Sequence, residues 1–363
     1  MEALLVAPPR AGVRMGKVPD PSPGPDEVKV RVLECGICRT DREIVAGRYG
    51  ALPEGRPDLV LGHENLGKVV QVGAAVRNLR VGDEVVATVR RGCGICRCCR
   101  TSRPDFCETG LFTERGIKGR DGYLAEFYVE RPEHLVRVPR PHRLSAVLLV
   151  PLSVVEKAVQ QGKRVLDRTE VVPGTNGGRP RTALVMGTGA LGILAVLVLA
   201  AEGFEVTAID REREDAPPAS MLTAIGARHA NVSAGLSVLG KQRFDLILDA
   251  TGSAALHFDL TSRLGPNGAL VAAGIAADAG DEVSVPAGEM VRRLMTQNQA
   301  IVGSVNASRR HFEMGLRHLT AFRRRWGTVA EQLVSQRLPW TEYGPILSGG
   351  KSEGVKTVLT IGR

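Results

Sequence analysis

Four cysteines stand at Cys93-x2-Cys96-x2-Cys99-x7-Cys107. Thiolates at this spacing can wrap one tetrahedral Zn2+. Such a site is closed, so it would stabilise a lobe rather than do chemistry. Cys98, a fifth thiol inside the cluster, reads as a bystander. A second set is Cys35-Gly36-Ile37-Cys38-Arg39-Thr40-Asp41 together with Gly62-His63-Glu64. Cys35 and Cys38 alone could form a redox pair. One thiolate, an imidazole and a carboxylate also suffice for an open zinc site with room for water or substrate. His63 is lifted above an ordinary histidine by the glycine before it, the acid after it and the Cys-x-Thr-Asp segment upstream. The third set is Gly187-Thr188-Gly189-Ala190-Leu191-Gly192, a G-x-G-x-x-G run. The first Gly suits a tight turn, the second a close approach of backbone to pyrophosphate, and the third close helix–strand packing. Asp210 follows Gly187 by 23 residues, near the roughly 20 expected of an acid that grips a ribose hydroxyl.

These residues need elements to hold them. Ala183 to Met186 predicts a buried parallel strand, Leu191 to Ala200 a helix, and Val206 to Ile209 a second strand ending at Asp210. Phe244–Asp249, Ala269–Gly274 and Ala300–Val305 read as later strands of one doubly wound sheet. Earlier in the chain, Val28–Val32, Lys68–Gly73 and Asp83–Ala87 read as strands separated by Gly-containing turns, so the first 140 or so residues are β-rich. From Arg143 to Gly162 the pattern is helical, with an interruption or kink expected at Pro151. Thr175 to Pro180 reads as a linker. Ser308 is expected to cap a helix reaching Arg325. Lys356–Ile361 reads as a strand returning to the first domain. The domains expected are 1–179, joined by 307–363, and 180–306.

Composition narrows the function classes. The chain has 363 residues, 43% hydrophobic and 24% charged, enough for two domains with their own cores. The net charge of +9 is carried mostly by Arg and reads as a solvated surface, or as an aid to a phosphorylated ligand. Aromatics are 4% and do not interleave with basic residues, which argues against single-strand binding. The start of the chain has no signal-peptide pattern, and its apolar runs read as too short to span a membrane. Seven cysteines in two clusters point to metal ligation in a reducing compartment, hence the cytoplasm.

In this order the cysteine segment, Gly-His-Glu, the four-cysteine lobe and the G-x-G-x-x-G resemble the zinc-dependent medium-chain alcohol dehydrogenases over essentially the whole chain. The segments Thr40–Val45, Arg90–Arg97, Arg103–Gly110 and Val302–Asn306 resemble the microbial glucose 1-dehydrogenase subgroup. The resemblance implies an α/β fold: a Rossmann doubly wound parallel sheet plus a β-rich GroES-like catalytic domain carrying the structural zinc lobe. It implies Cys38, His63 and Glu64 at a catalytic zinc, and Thr40 as the relay for the substrate's hydroxyl proton. Glu114 resembles a sugar-hydroxyl acceptor, and Asn306 a residue at nicotinamide and substrate. The cofactor would contact Gly187, Thr188, Gly189, Ala190, Leu191, Gly192, Asp210, Arg211, Arg213, Thr251, Gly274, Ser304 and Asn306. A homodimer or homotetramer is implied, with no nucleic-acid or membrane partner.

Three positions depart from the subgroup. Val150 and Val154 replace polar residues expected near the zinc-bound water or the sugar, and Val89 stands where Asn is usual. A sugar hydroxyl set against an apolar group costs roughly 1–3 kcal/mol for each lost partner. The expected reaction is therefore reversible hydride transfer between NAD(P) and a secondary alcohol, sugar-like or ketone substrate, in a pocket more apolar than the subgroup's. Asp210 favours NAD; Arg211 and Arg213 leave NADP as the alternative. Two other readings stay open. One is a zinc-independent reductase of an activated alkene, ketone or quinone on the same scaffold. The other is a nucleic-acid binder using the cysteine lobe with Arg90, Arg91, Arg97, Arg100 and Arg103.

Overall fold

The computed structural model describes residues 1–170, 179–211, 217–275, 282–349 and 354–361. The expected linker at Thr175 to Pro180 falls mostly outside them, and Arg213 falls wholly outside. The chain divides into two compact units: Met1–Ser153 with Asn306–Thr320 and Glu331–Arg363, and Val154–Val305 with Ala321–Ala330. Domains divided near residue 180 were expected. The later turns of the helix Leu149–Asp167 go with the second unit because Gly162 packs on its sheet; a Cβ there would lie 3.1 Å from Val271 Cγ2. Arg325 likewise donates to the Ala200 carbonyl at 2.8 Å.

The first unit is built on a sheet in the order Leu135–Arg137, Glu84–Ala87, Glu64–Val72, Val28–Gly36, Lys356–Thr360, Val334–Pro339, with Phe127–Glu130 also paired to Val28–Gly36. Val28, Val30 and Val32 are buried and alternate with less buried neighbours, as a strand with one face on a core requires. Lys356–Thr360 runs antiparallel to Val28–Gly36, with Leu359 opposite Cys35. Residues about 300 apart in sequence thus meet at one site.

The second unit is a six-stranded sheet, all parallel, in the order Arg228–Asn231, Glu205–Asp210, Thr182–Met186, Phe244–Asp249, Leu264–Ala272, Ala300–Gly303. Ala183 to Met186 are wholly buried, as in a strand covered on both faces. The helix Ala190–Ala201 buries every residue from Gly192 to Ala200, which its apolar character all round demands.

The interruption expected at Pro151 takes the form of a change of helix type just before it. A 3-10 stretch, Arg140–Leu148, leads into the α-helix Leu149–Asp167, so the proline sits in the first turn, where its missing N–H has no partner to lose. The whole helical stretch is apolar and long enough to cross a membrane, but 78% of its most apolar window is buried in the protein. At Ser308 the backbone N–H donates to Nδ1 of His311 at 3.1 Å, at the start of the helix Arg309–Trp326.

Candidate active site

The strand Val28–Gly36 delivers Cys38 to the N-terminus of the helix Arg39–Val45. There Cys38 Sγ accepts from the Thr40 N–H at 3.2 Å, and the Asp41 carboxylate accepts from the Cys38 N–H at 2.9 Å, forming a capping box. Asp41 does more than cap. Its other oxygen lies 3.1 Å from His63 Nδ1, and His63 Nε2 lies 3.3 Å from Cys38 Sγ. Opposite a buried carboxylate Nδ1 carries a hydrogen, so Nε2 is the nitrogen that meets Cys38 and takes up a proton or a metal ion. Burial opposes charge on His63, yet Asp41 and then Cys38 raise its pKa well above the usual value. The ring is thus held where a cation at Nε2 is stabilised.

Glu64 is buried and bound by Lys356, whose Nζ donates to Oε1 at 2.6 Å and lies 2.5 Å from Oε2, with no hydrogen bond of good geometry to Oε2. Ligand atoms of Cys38, His63 and Glu64 all lie within 4.8 Å of one another. A zinc bound to thiolate and imidazole holds sulfur and nitrogen ~3.5 Å apart, so the 3.3 Å here fits the ion. Gly36 makes room: a Cβ on it would overlap Glu64 Oε2. Cys35 is fully buried, and burial, then Asp41 and Glu64, push its thiol pKa well up. It is therefore a poor source of thiolate, and its sulfur is not among the clustered ligand atoms.

The strand Thr113–Arg115 presents Glu114 and runs into Gly116, where a Cβ would overlap the carbonyl oxygen of Gly62, the residue before His63. Its Oε1 accepts from Arg90 Nε at 3.0 Å, Arg90 Nη2 at 2.9 Å and Asn306 Nδ2 at 2.6 Å. Asn306 holds a left-handed φ of 57°, and its own Oδ1 accepts from the Ala307 N–H. Thr40 lies in the first turn of the Cys38 helix. Val150 and Val89 are buried.

In the lobe, the Sγ atoms of Cys93, Cys96, Cys99 and Cys107 lie within 4.8 Å of one another, and Cys98 is not among them. A tetrahedral Zn–S4 centre places sulfurs ~3.8 Å apart, so the cage fits zinc. A Cβ at Gly92 would lie 2.5 Å from Cys99 Sγ, which explains the glycine before Cys93.

In the second unit the three fingerprint glycines differ as their roles require. Gly187 turns at φ 93° and donates its N–H to Ile209. Gly189 caps the helix Ala190–Ala201, and a Cβ on it would meet only open space, so backbone is bare where a pyrophosphate would lie. A Cβ on Gly192 would overlap the Gly187 carbonyl oxygen. Thr251 N–H and Oγ1 both donate to Asp249 Oδ1, at 2.8 and 2.9 Å, and the N–H of Gly274 donates to the Asp249 carbonyl. Ser304 Oγ is buried without a hydrogen-bond partner, an orphan that suits a ligand. Arg211 is exposed. Asp210 is taken up by its neighbours: Oδ1 faces His229 Nε2 at 3.0 Å, and Oδ2 accepts from the Thr188 hydroxyl.

Sequence alone assigns no site role to Asp41, Lys356 or His229, and places Arg90 only beside the cysteine lobe, not at Glu114. Only Asp41 carried a local signal, its place three residues after Cys38.

Comparison with known proteins agrees with this geometry. Residues 24–140 match the alcohol dehydrogenase GroES-like domain and residues 144–361 the glucose dehydrogenase C-terminus. The chain is 39% identical, over the whole of both chains, to a glucose 1-dehydrogenase of Methanocella arvoryzae, and 36% identical to one of Thermoproteus tenax, over 94% of each chain. Among solved structures, the glucose dehydrogenase of Haloferax mediterranei in complex with NADP, Zn and gluconolactone superimposes with a TM-score of 0.87 at 30% identity, covering both chains completely. Two matched halves, a metal cluster in one and a dinucleotide fingerprint in the other, place the chain in the zinc-dependent medium-chain dehydrogenase superfamily, as a member of its glucose 1-dehydrogenase family and an NAD(P)-dependent oxidoreductase.

Proposed function

We propose that the protein oxidises the hemiacetal carbon of an aldose to a lactone, passing hydride to NAD or NADP, with a pocket more apolar than glucose needs at every hydroxyl. The observation that carries this is the Cys38–His63–Asp41 arrangement beside Glu114 and Asn306. Cys38 and His63, with Glu64, would hold the catalytic zinc, which supplies Lewis acidity toward the substrate oxygen. Asp41 fixes the tautomer and aim of His63. Lys356 holds Glu64 and offsets its charge. Thr40 would take the hydroxyl proton onward. Glu114 would accept from a sugar hydroxyl, its position held by Arg90 and Asn306. The fingerprint glycines, Thr251, Gly274 and Ser304 would bind the dinucleotide, whose nicotinamide receives the hydride. Val150 and Val89 leave hydroxyls on their side unpaired, so aldoses lacking them should react better than glucose.

The zinc-free reductase is not favoured, because a three-ligand set is assembled in the first unit. The seven free cysteines suit the cytoplasm. A homodimer or homotetramer follows from the family resemblance.

The test is a panel of aldoses, secondary alcohols and ketones with NAD and NADP, followed at the reduced-nicotinamide absorbance, with zinc measured on the same protein. Two zinc ions per chain and turnover of at least one aldose are expected. Cys38→Ser and His63→Ala should abolish turnover while NAD(H) still binds. Retained turnover in the His63 variant would defeat the reading.

A further inference from the structure

The carboxyl edge of the parallel sheet holds two Asp–His pairs. Asp249 meets His257 at 2.9 Å, and Asp210 meets His229 at 3.0 Å. The first orders the turn that carries Thr251. The second lies at the residue which, in a dinucleotide enzyme, meets the adenosine ribose. There an unencumbered acid accepts from the ribose hydroxyls and repels a 2′-phosphate.

Asp210 is not unencumbered. Thr188, inside the glycine-rich turn, donates its hydroxyl to Oδ2, and His229, on the neighbouring strand Arg228–Asn231, faces Oδ1. Against a carboxylate, Nε2 carries the hydrogen, so both partners are donors. The strands run parallel with Ala208 beside His229, which lets the imidazole reach the end of the next strand. The His229 and Asp210 side chains are only 10% and 8% exposed, so water screens the pair weakly.

We propose that His229 and Thr188 are specificity-determining residues. By donating to both oxygens of Asp210 they engage part of its accepting capacity and weaken the field with which an acid here selects a free ribose, so that the site accepts NADP as well as NAD. This rests on the dinucleotide reading above and adds to it a cause for relaxed choice.

The test is direct binding of NADH and NADPH to the whole protein by fluorescence titration, which requires no turnover. The unaltered protein should bind both within about tenfold of each other. His229→Leu should raise the NADPH/NADH ratio of dissociation constants by about tenfold, the size of one charge-assisted hydrogen bond. His229→Gln, which keeps a donor, should preserve the ratio. Asp210→Asn leaves His229 in place and should change the ratio less than about threefold, because two hydrogen bonds already weaken the field of the charge it removes. A His229→Leu ratio equal to that of the unaltered protein, or a gain of tenfold or more for NADPH in Asp210→Asn, would overturn the proposal. Binding of neither coenzyme would instead sink the dinucleotide reading itself.

Discussion

Asp41 is the smallest part of the site with the widest reach. One oxygen ties down the Cys38 backbone and the other the His63 ring, so a single buried carboxylate sets the aim of two candidate zinc ligands. Outer partners of metal-bound imidazoles are worth about 10–100-fold in metal affinity or activity. Asp41→Asn keeps the size and one hydrogen bond but no longer fixes the tautomer. Its kcat should fall about 10–100-fold and its zinc should be lost to a chelator sooner, while NADH binding is unchanged. Equal chelator sensitivity in the variant and its parent would show that Asp41 merely caps a helix. The residue types of the metal clusters were legible in sequence because cysteines at such spacing have few other uses. The partner of Glu64 was not. Lys356 lies 292 residues away and arrives by strand pairing, which no local pattern encodes.

The turn between Thr182–Met186 and Ala190–Ala201 shows what an element adds to its residues. The hexapeptide was readable because an apolar strand, a glycine run and an apolar helix each obey a local rule that the fold keeps. Less readable was that the glycines would divide their work so sharply: Gly192 faces the Gly187 carbonyl, whereas Gly189 faces nothing. Nor could periodicity place Pro151 at a helix start, because a 3-10 entry and an interrupted α-helix share one apolar pattern. The two glycines predict opposite failures. Gly189→Ala should leave the melting temperature nearly unchanged and weaken NADH binding by tenfold or more, since the methyl fills space meant for pyrophosphate. Gly192→Ala should lower stability by about 1–3 kcal/mol through overpacking. Thermal melts with and without NADH would separate them; a stable Gly192→Ala protein would refute the packing argument.

Over the whole molecule, buried charge sets how stability depends on pH. The second unit buries Glu156, Lys157 and Asp249 beside its apolar strands. In the first, Glu130 pairs with Arg91 and, at 2.8 Å, with Arg115. Burial works against ionising Glu130, but Arg115 and Arg91 outweigh it and hold its pKa at about 2, below the ordinary 4.5. Its stabilisation is complete above pH 4.5 and disappears as pH falls toward 2. His134, near the same arginines, acts in a milder range. Burial, then Arg91, lowers its pKa from 6.5 to about 4. Between those values the unfolded chain binds the proton and the folded chain does not, so stability is full above pH 6.5 and declines as pH falls to about 4. At pH 5 the accumulated loss is on the order of 1–2 kcal/mol. His134→Gln removes the titrating group, so its melting temperature should drop less than that of the parent between pH 7 and pH 5. The expected result is two melting curves that differ in their pH slope within this window and run parallel above it. Parallel slopes throughout would mean that water reaches His134 and relieves the arginine field.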